Sequence, residues 1–90
     1  MELEWDEAKR RNTLERRGLD FADVENFDYD TVISVPDRRL DYGEERFNAY
    51  GYLRGVLCTY CFTWRNGRMR IISMRRANDR ERKKYQAGTL

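Results

Sequence analysis

The dipeptide Asn66-Gly67 is the feature that most constrains the fold of this chain. It separates two segments of strand composition, residues 56–65 and 68–76. Asn-Gly favours a type I′ turn, whose two central residues both need positive φ, so it predicts a two-residue hairpin loop. Arg54-Gly55 stands in the same relation to residues 45–53 and is a weaker turn signal. Together the two turns predict a meander of three antiparallel strands.

Two-residue loops also determine which residues of the meander lie opposite one another, and therefore which side chains share a face. One face is almost entirely apolar and is the predicted core. We expect the helix predicted over residues 7–17 to cover it. The residues of this predicted core face are Phe47, Ala49, Leu53, Val56, Cys58, Tyr60, Phe62, Trp64, Met69 and Ile71.

The other face of the predicted meander mixes arginine, tyrosine, hydroxyl and apolar groups. Arg46, Thr63 and Arg70 share one cross-strand row in this register. Two like charges so placed repel, and an anion between them would turn that repulsion into attraction. The alternative is that Asp41 or Glu44 neutralises them. The predicted residues of this face are Arg46, Asn48, Tyr50, Tyr52, Thr59, Thr63, Arg70, Ile72, Met74 and Arg76.

The segments that flank the meander predict helices and short strands. Asp6 is an N-cap for a helix over residues 7–17, whose acidic start and basic end suit the helix dipole. Asn78 followed by Glu81 has capping-box spacing and predicts a C-terminal helix. A strand over residues 2–5, a helix over 20–27 and a strand over 31–35 complete the prediction. The expected fold is α+β, in a single domain over residues 1–90.

The composition excludes several kinds of site. The chain has no histidine, which rules out a Ser-His-Asp triad, imidazole acid–base catalysis and a His-bearing zinc site. Cys58 and Cys61 read as C-x-x-C, but residues three apart on a strand point to opposite faces, so neither a metal site nor a disulfide is expected. No cofactor is predicted. No apolar run approaches the roughly 20 residues of a membrane span, and the acidic start lacks a signal sequence, so we expect a cytoplasmic protein without membrane association.

Charge is segregated along the chain. Residues 65–90 hold nine basic and two acidic residues, a net +7, whereas residues 1–64 hold nine basic and fourteen acidic, a net −5. A basic half indicates a polyanionic partner. For the helical cations Arg80, Arg82, Lys83 and Lys84 a solvated helix face is the alternative interpretation. Tyr50 and Tyr52 could stack on bases, or equally pack under the terminal helix.

Three segments resemble the BrnT family, the toxins of bacterial type II toxin–antitoxin systems. They are Glu4-Trp5-Asp6-Glu7-Ala8-Lys9, residues 41–47, and residues 70–77 followed by Glu81-Arg82-Lys83-Lys84-Tyr85. The resemblance implies a RelE-like antiparallel sheet with N-terminal helices packed on one face and a C-terminal helix. It implies a metal-independent endoribonuclease that cleaves mRNA and inhibits translation. It also implies a BrnA-like ribbon-helix-helix antitoxin, with DNA bound only through that antitoxin, and an RNA substrate that is either free or ribosome-associated.

The family's motifs are carried onto this chain residue by residue. The first helix ends Arg16-Arg17-Gly18, where the family usually has Lys-His-Gly, and arginine cannot shuttle a proton near neutral pH. The matching motif residues are Trp5, Asp6, Lys9, Glu45, Arg46, Phe47, Arg70, Ser73, Arg75 and Arg76.

The resemblance and the strand pattern together give a hypothesis for the site. Arg46, Arg70 and Arg76, with Arg75 nearby, are expected to stabilise the phosphorane formed during RNA cleavage. Candidates for the general base are Glu45, Lys9, Lys84 and Tyr85. A non-catalytic antitoxin-binding or RNA-binding module is the alternative function. The residues expected to bind RNA are Tyr50, Tyr52, Lys83, Lys84 and Tyr85.

Overall fold

Both predicted hairpin turns are present in the computed structural model, which describes residues 1–90. The central residues of Arg54-Gly55 and Asn66-Gly67 all have φ between 49° and 79°, as type I′ turns require. The residues that flank each turn lie directly opposite one another. The predicted registers at the two turns are therefore confirmed.

The elements are β1 (Leu3–Trp5), α1 (Glu7–Arg17), a 3₁₀ helix (Phe21–Asn26), β2 (Asp28–Asp37), β3 (Arg46–Leu53), β4 (Val56–Arg65), β5 (Arg68–Arg76) and α2 (Asp79–Ala87). The two hairpins form the centre of a five-stranded sheet in the order β1-β5-β4-β3-β2. Strand β1 is parallel to β5 and all other neighbours are antiparallel. The α+β arrangement with a C-terminal helix is confirmed, and the sheet is mixed because of β1. Neither α1 nor α2 has the length and apolar character that a membrane-spanning helix needs.

The core lies between the sheet and the 3₁₀ helix. Phe21 and Val24 of that helix are fully buried, whereas α1 has no buried residue. The prediction that α1 covers the core is wrong, because its one large aliphatic side chain, Leu14, gives it no apolar stripe to bury. The core residues are Leu19, Phe21, Val24, Phe27, Ala49, Leu53, Cys58, Tyr60, Phe62, Met69, Ile71 and Met74.

A β-bulge in β5 changes which side chains reach each face. Cys61 lies opposite Ser73 and Phe62 lies opposite Ile71, so Ile72 is an extra residue on β5. Beyond a one-residue shift every side chain changes face. The predicted placement of Met74 and Arg76 on the arginine-bearing face is therefore wrong, since both follow the bulge.

Two strand ends also differ from the prediction. Val56 and Trp64 are 42% and 59% exposed, although both were expected in the core. They lie near the two ends of β4, beyond the part of the sheet that the 3₁₀ helix covers. Strand β2 is longer than predicted, running over Asp28–Asp37.

Helix α1 lies against β5, and its C-terminus is joined to that strand by two hydrogen bonds. Arg17 Nη1 donates to the carbonyl of Met74 at 3.0 Å, and Arg76 Nη1 donates to the carbonyl of Arg17 at 3.1 Å. Strand β1 pairs only with residues 69–71 of β5. Helix α1 therefore contacts the part of β5 that does not pair with β1.

Candidate functional site

On the sheet face opposite the core, three arginines from three different elements surround a polar cavity of about 170 Å³. Arg46 comes from β3, Arg75 from β5, and Arg39 from the loop that joins β2 to β3. We call this cavity the arginine basin. Its other lining residues are Asp37, Tyr42, Asn48, Thr59, Cys61, Ile72 and Ser73.

Each arginine of the basin already has a carboxylate partner. Of the two loop acids expected to neutralise the arginines, Glu44 does so by pairing with Arg46. Asp41 instead accepts a hydrogen bond from the Gly43 amide. An incoming phosphate must compete with these carboxylates for the same guanidinium groups. The shortest nitrogen–oxygen distances are 2.8 Å for Arg39–Asp37, 3.1 Å for Arg46–Glu44 and 2.7 Å for Arg75–Glu81.

Asp37 is the buried carboxylate of the basin, with its side chain only 1% exposed. The guanidinium of Arg39 donates two hydrogen bonds to it and the Arg39 amide donates a third, and these bonds lower the pKa of Asp37 to about 2 although burial acts in the opposite direction. The hydroxyl of Tyr42 donates to the same carboxylate at 3.4 Å. Asp37 thereby anchors the beginning of the loop over residues 38–45.

Arg46 is enclosed by the other end of that loop. Its guanidinium lies 4.1 Å from the centre of the Tyr42 ring, a cation–π distance. Its Nε donates to Glu44, and this guanidinium is the main cause of the lowered pKa of that carboxyl. Arg46 is therefore held in place, with about a quarter of its side chain exposed to an incoming ligand (27%).

Arg75 forms the third side of the basin and connects it to α2. Two parallel hydrogen bonds of 2.7 and 2.9 Å join its guanidinium to Glu81. This contact is the largest cause of the lowered pKa of Glu81, and the carboxylate also completes the predicted capping box with Asn78. The hydroxyl of Tyr50 donates a hydrogen bond to Glu81. The pKa of Tyr50 is raised, mainly by burial and next by the negative charge of Glu81.

Two of the tyrosines expected to bind RNA, Tyr50 and Tyr52, pack beneath α2. This is the alternative to base stacking that the sequence left open for them. Tyr50 is buried, and the ring of Tyr52 meets that of Tyr85 edge-on at 5.8 Å. The Tyr85 hydroxyl donates to the carbonyl of Thr31 in β2. Of the two helical lysines, Lys84 lines a groove between α2 and the residue 38–45 loop, and Lys83 is exposed outside it.

The structure separates several of the expected catalytic residues from the basin. Arg70 lies opposite Thr63 as predicted, but its guanidinium is 3.5 Å from Glu4 of β1 and outside the cavity. Arg76 lies on the core side of the sheet. Glu45 is exposed on the loop, and Lys9 lines a different groove beside α1. Of the expected catalytic residues, only Arg46 and Arg75 line the basin.

Sequence reasoning did not single out Asp37 or Arg39 as residues of the basin, and it named Ser73 only as a match to a family motif. Strand alternation correctly places Asn48 on this face, because it stands two residues after Arg46 on the same strand. Arg39 could be found only from its contact with the buried Asp37. Ser73 lies on this face because of the bulge. No residue in the sequence indicates that a bulge forms there.

The two cysteines take no part in a joint site. Cys58 is a core residue and Cys61 lines the basin on the other face, as the strand interpretation predicted. Burial is the largest cause of the raised pKa of both thiols. The structure gathers no group of three or more potential metal-ligating side chains.

Comparison with protein families decides what kind of protein carries this basin. The family model described as "Ribonuclease toxin, BrnT, of type II toxin-antitoxin system" matches residues 5–81. The chain belongs to the BrnT family. Membership of the BrnT family implies a ribonuclease toxin, with an RNA substrate and an antitoxin partner. A comparison with curated proteins finds no match.

The BrnT match includes the whole arginine basin. It extends from Trp5 in β1 to Glu81, the residue that pairs with Arg75. Of the residues expected to act on RNA, it leaves out only those of α2 beyond Glu81, which are Lys83, Lys84 and Tyr85.

Proposed function

We propose that this chain is a toxin that cleaves mRNA without a metal ion and so stops translation in the bacterial cytoplasm. The BrnT family match over residues 5–81 is the observation that carries the proposal. The basin adds a chemical reason, because preorganised guanidinium groups stabilise the charge that develops on a phosphorane.

In the proposed reaction a 2′-hydroxyl attacks the adjacent phosphorus and the bond from phosphorus to the 5′-oxygen breaks. Arg46 and Arg75 stabilise the phosphorane oxygens from the two sides of the basin, and Arg70 contributes from the same face at longer range. The proton of the 2′-hydroxyl passes to a base, and the leaving 5′-oxygen receives a proton. The candidate for the base is Glu45, the neighbour of Arg46 in the chain, whose side chain forms no hydrogen bond or ion pair within the protein.

The proposed partner is a BrnA-like ribbon-helix-helix antitoxin, through which the pair contacts DNA. Acidic antitoxin segments complement the basic half of the chain. The paired state of the basin arginines favours a second candidate function, a module that binds RNA or antitoxin without cleaving RNA. The two functions predict different products.

The decisive experiment is to express the chain alone in a bacterial host and map RNA 5′ ends. New ends that appear with growth arrest, and vanish with Arg46→Gln or on co-expression of the neighbouring antitoxin gene, are expected. Purified protein should produce the same ends in the presence of EDTA. Growth arrest without new ends would favour the binding module, and cleavage abolished by EDTA would refute metal independence.

A further inference from the structure

A second polar depression, of about 370 Å³, lies between α1 and the bulged part of β5. We call it the α1 groove. Three of its seven lining residues are cations and none is a carboxylate, whereas the grooves around the residue 38–45 loop all contain acidic residues. Its lining residues are Lys9, Asn12, Thr13, Arg16, Arg17, Ile72 and Ser73.

The cations of the α1 groove differ from those of the basin in having no acidic partner. Lys9 and Arg16 form no ion pair and no side-chain hydrogen bond, and Arg17 contacts only the carbonyl of Met74. Every basin arginine is instead paired with a carboxylate. A phosphate entering the α1 groove would therefore meet free positive charge, whereas in the basin it must displace a carboxylate.

We propose that the α1 groove binds the phosphodiester backbone of the RNA next to the cleavage site. The inference deepens the proposed function and rests on it for the identity of the ligand. Its structural basis is the coincidence of unpaired cations, hydroxyl and amide donors, and direct continuity with the basin. Backbone contacts of this kind position a nucleic acid without reading its sequence.

The spacing of the groove residues on α1 suits an extended ligand. Lys9, Thr13 and Arg16 follow one another at intervals of four and three residues, so they share one face of the helix. The seven steps from Lys9 to Arg16 span about 10 Å along the helix axis. The two cations at the ends of this row, with the hydroxyl of Thr13 between them and Arg17 beside Arg16, can contact successive phosphates of a single strand.

The β-bulge connects the α1 groove with the arginine basin. Ile72 and Ser73, the residues at the bulge, line both depressions. Bulges redirect side chains and are common beside active sites. An RNA strand bound along α1 therefore crosses the bulge and brings its next phosphate to Arg75.

An acidic segment of a protein is the other ligand that such a groove could attract. Protein interfaces depend on apolar or aromatic anchors at their centre, and Ile72 is the one large apolar side chain that lines the groove. Interfaces with nucleic acid are more polar and more strongly positive. The lining of the α1 groove therefore favours a phosphate backbone.

The test measures RNA binding apart from cleavage. A fluorescent single-stranded RNA carrying 2′-O-methyl groups cannot be cleaved, and its anisotropy reports affinity at several salt concentrations. Arg16→Gln should weaken binding about 5-fold at 0.1 M salt and make the slope of log K against log salt shallower by about 0.7, the value for one lost phosphate contact. Arg11→Gln is the matched control, because Arg11 is on the same helix, 76% exposed and outside the groove.

Equal affinities for the Arg16→Gln and Arg11→Gln variants would overturn the proposal. So would an Arg16→Gln variant that loses affinity for the antitoxin while its RNA affinity is unchanged. Cleavage by the wild-type chain is measured separately on unmodified RNA. If the chain cleaves RNA but Arg16 is irrelevant to binding, the groove is refuted and the ribonuclease stands. If binding depends on Arg16 but no RNA is cleaved, the groove stands and the ribonuclease proposal fails.

Discussion

Arg75 and Arg76 are adjacent in the chain yet project from opposite faces of β5. Arg75 lies opposite Thr59 on the basin face, whereas Arg76 lies opposite the core residue Cys58. Two consecutive arginines in a strand always divide in this way, and the bulge decides which of them reaches the basin. The family motif includes both residues, so the motif alone does not distinguish their roles.

Separate substitution of these two arginines tests the proposed assignment. Arg75→Gln should lower the rate of RNA cleavage at least 100-fold, the usual loss when one group that stabilises transition-state charge is removed. Arg76→Gln should lower it less than 10-fold, because its guanidinium lies on the other face. Thermal unfolding of both variants shows whether the sheet is intact. A larger loss for Arg76→Gln than for Arg75→Gln would contradict the assignment.

Asp37 should make the stability of the protein depend on pH. Its pKa of about 2 in the folded protein, against an ordinary value of 3.8, corresponds to about 2 kcal/mol of stabilisation. Solvent around the 75% exposed Arg39 reduces this figure, so Asp37→Asn should lower the free energy of unfolding by roughly 1–2 kcal/mol at pH 7.

The sign of the pH dependence follows from the direction of that pKa shift. A lowered folded-state pKa stabilises the protein fully above about pH 5, and the stabilisation is lost as pH falls towards 2. Urea unfolding of the wild type and Asp37→Asn at pH 7 and pH 3 measures this loss. The two proteins should differ most at pH 7 and converge on acidification. A gap that is constant with pH would show that the Arg39 contact is not its source.

Helix α2 is attached to the sheet mainly by polar and aromatic contacts, since none of its residues is buried. Glu81 has two separable roles, as N3 residue of the capping box and as partner of Arg75. Glutamine retains the first role and removes the charge needed for the second. Glu81→Gln should therefore weaken the docking of α2 by about 1–2 kcal/mol without removing the N-terminal cap.

Hydrogen exchange measures that weakening directly. Amides in Asp79–Ala87 should exchange about 10-fold faster in the Glu81→Gln variant, because that factor corresponds to about 1.4 kcal/mol. Amides of β4, which lies between two strands at the centre of the sheet, serve as the internal control. Faster exchange throughout the sheet, or no change in α2, would contradict a local role for the Arg75–Glu81 pair.

The elements that could be predicted from sequence are those whose signal is local. Asn66-Gly67 specifies its own turn, and Asn78 with Glu81 specifies the start of α2. The turn at Arg54-Gly55 forms with arginine at positive φ, an arrangement that arginine alone disfavours. Arg54 also forms an ion pair with Asp23 at 3.1 Å, a contact between distant segments that the local pattern does not contain.

The elements that could not be predicted depend on contacts between distant segments. The bulge at Ile72-Ser73 contains no glycine, and its effect on Arg75 and Arg76 appears only when β5 is paired with β4. The cover of the core by the 3₁₀ helix depends on Phe21 and Val24 reaching the sheet. Strand alternation identified an arginine-rich face. Because it did not include the register shift at the bulge, it placed Arg76 on that face, where the structure has Arg75.

At the scale of the whole molecule, folding brings the acidic and basic halves of the chain together. Arg68 and Arg70 of β5 pair with Glu2 and Glu4 in or beside β1, and Arg65 pairs with Glu44. Together with the Arg75–Glu81 pair, these contacts neutralise every strand arginine of the basic half except Arg76. The positive charge left unpaired is therefore concentrated on α2 and in the α1 groove, in cations that form no ion pair. The unpaired cations of α2 are Arg80, Arg82, Lys83 and Lys84.

The unpaired cations of α2 should act on RNA at long range. Apart from a bond from Arg82 to the Ala77 carbonyl, they form no side-chain hydrogen bonds, and Lys83 and Lys84 are exposed. Replacing all four with glutamine should slow RNA association several-fold at 0.05 M salt, because such charges steer encounter. The difference should vanish at 0.5 M, where the Debye length is only a few ångströms. The dissociation rate should be unchanged, and stopped-flow anisotropy measures both rates. A faster dissociation rate in the variant would instead mean that α2 contacts the bound RNA directly, as first expected for Lys83 and Lys84.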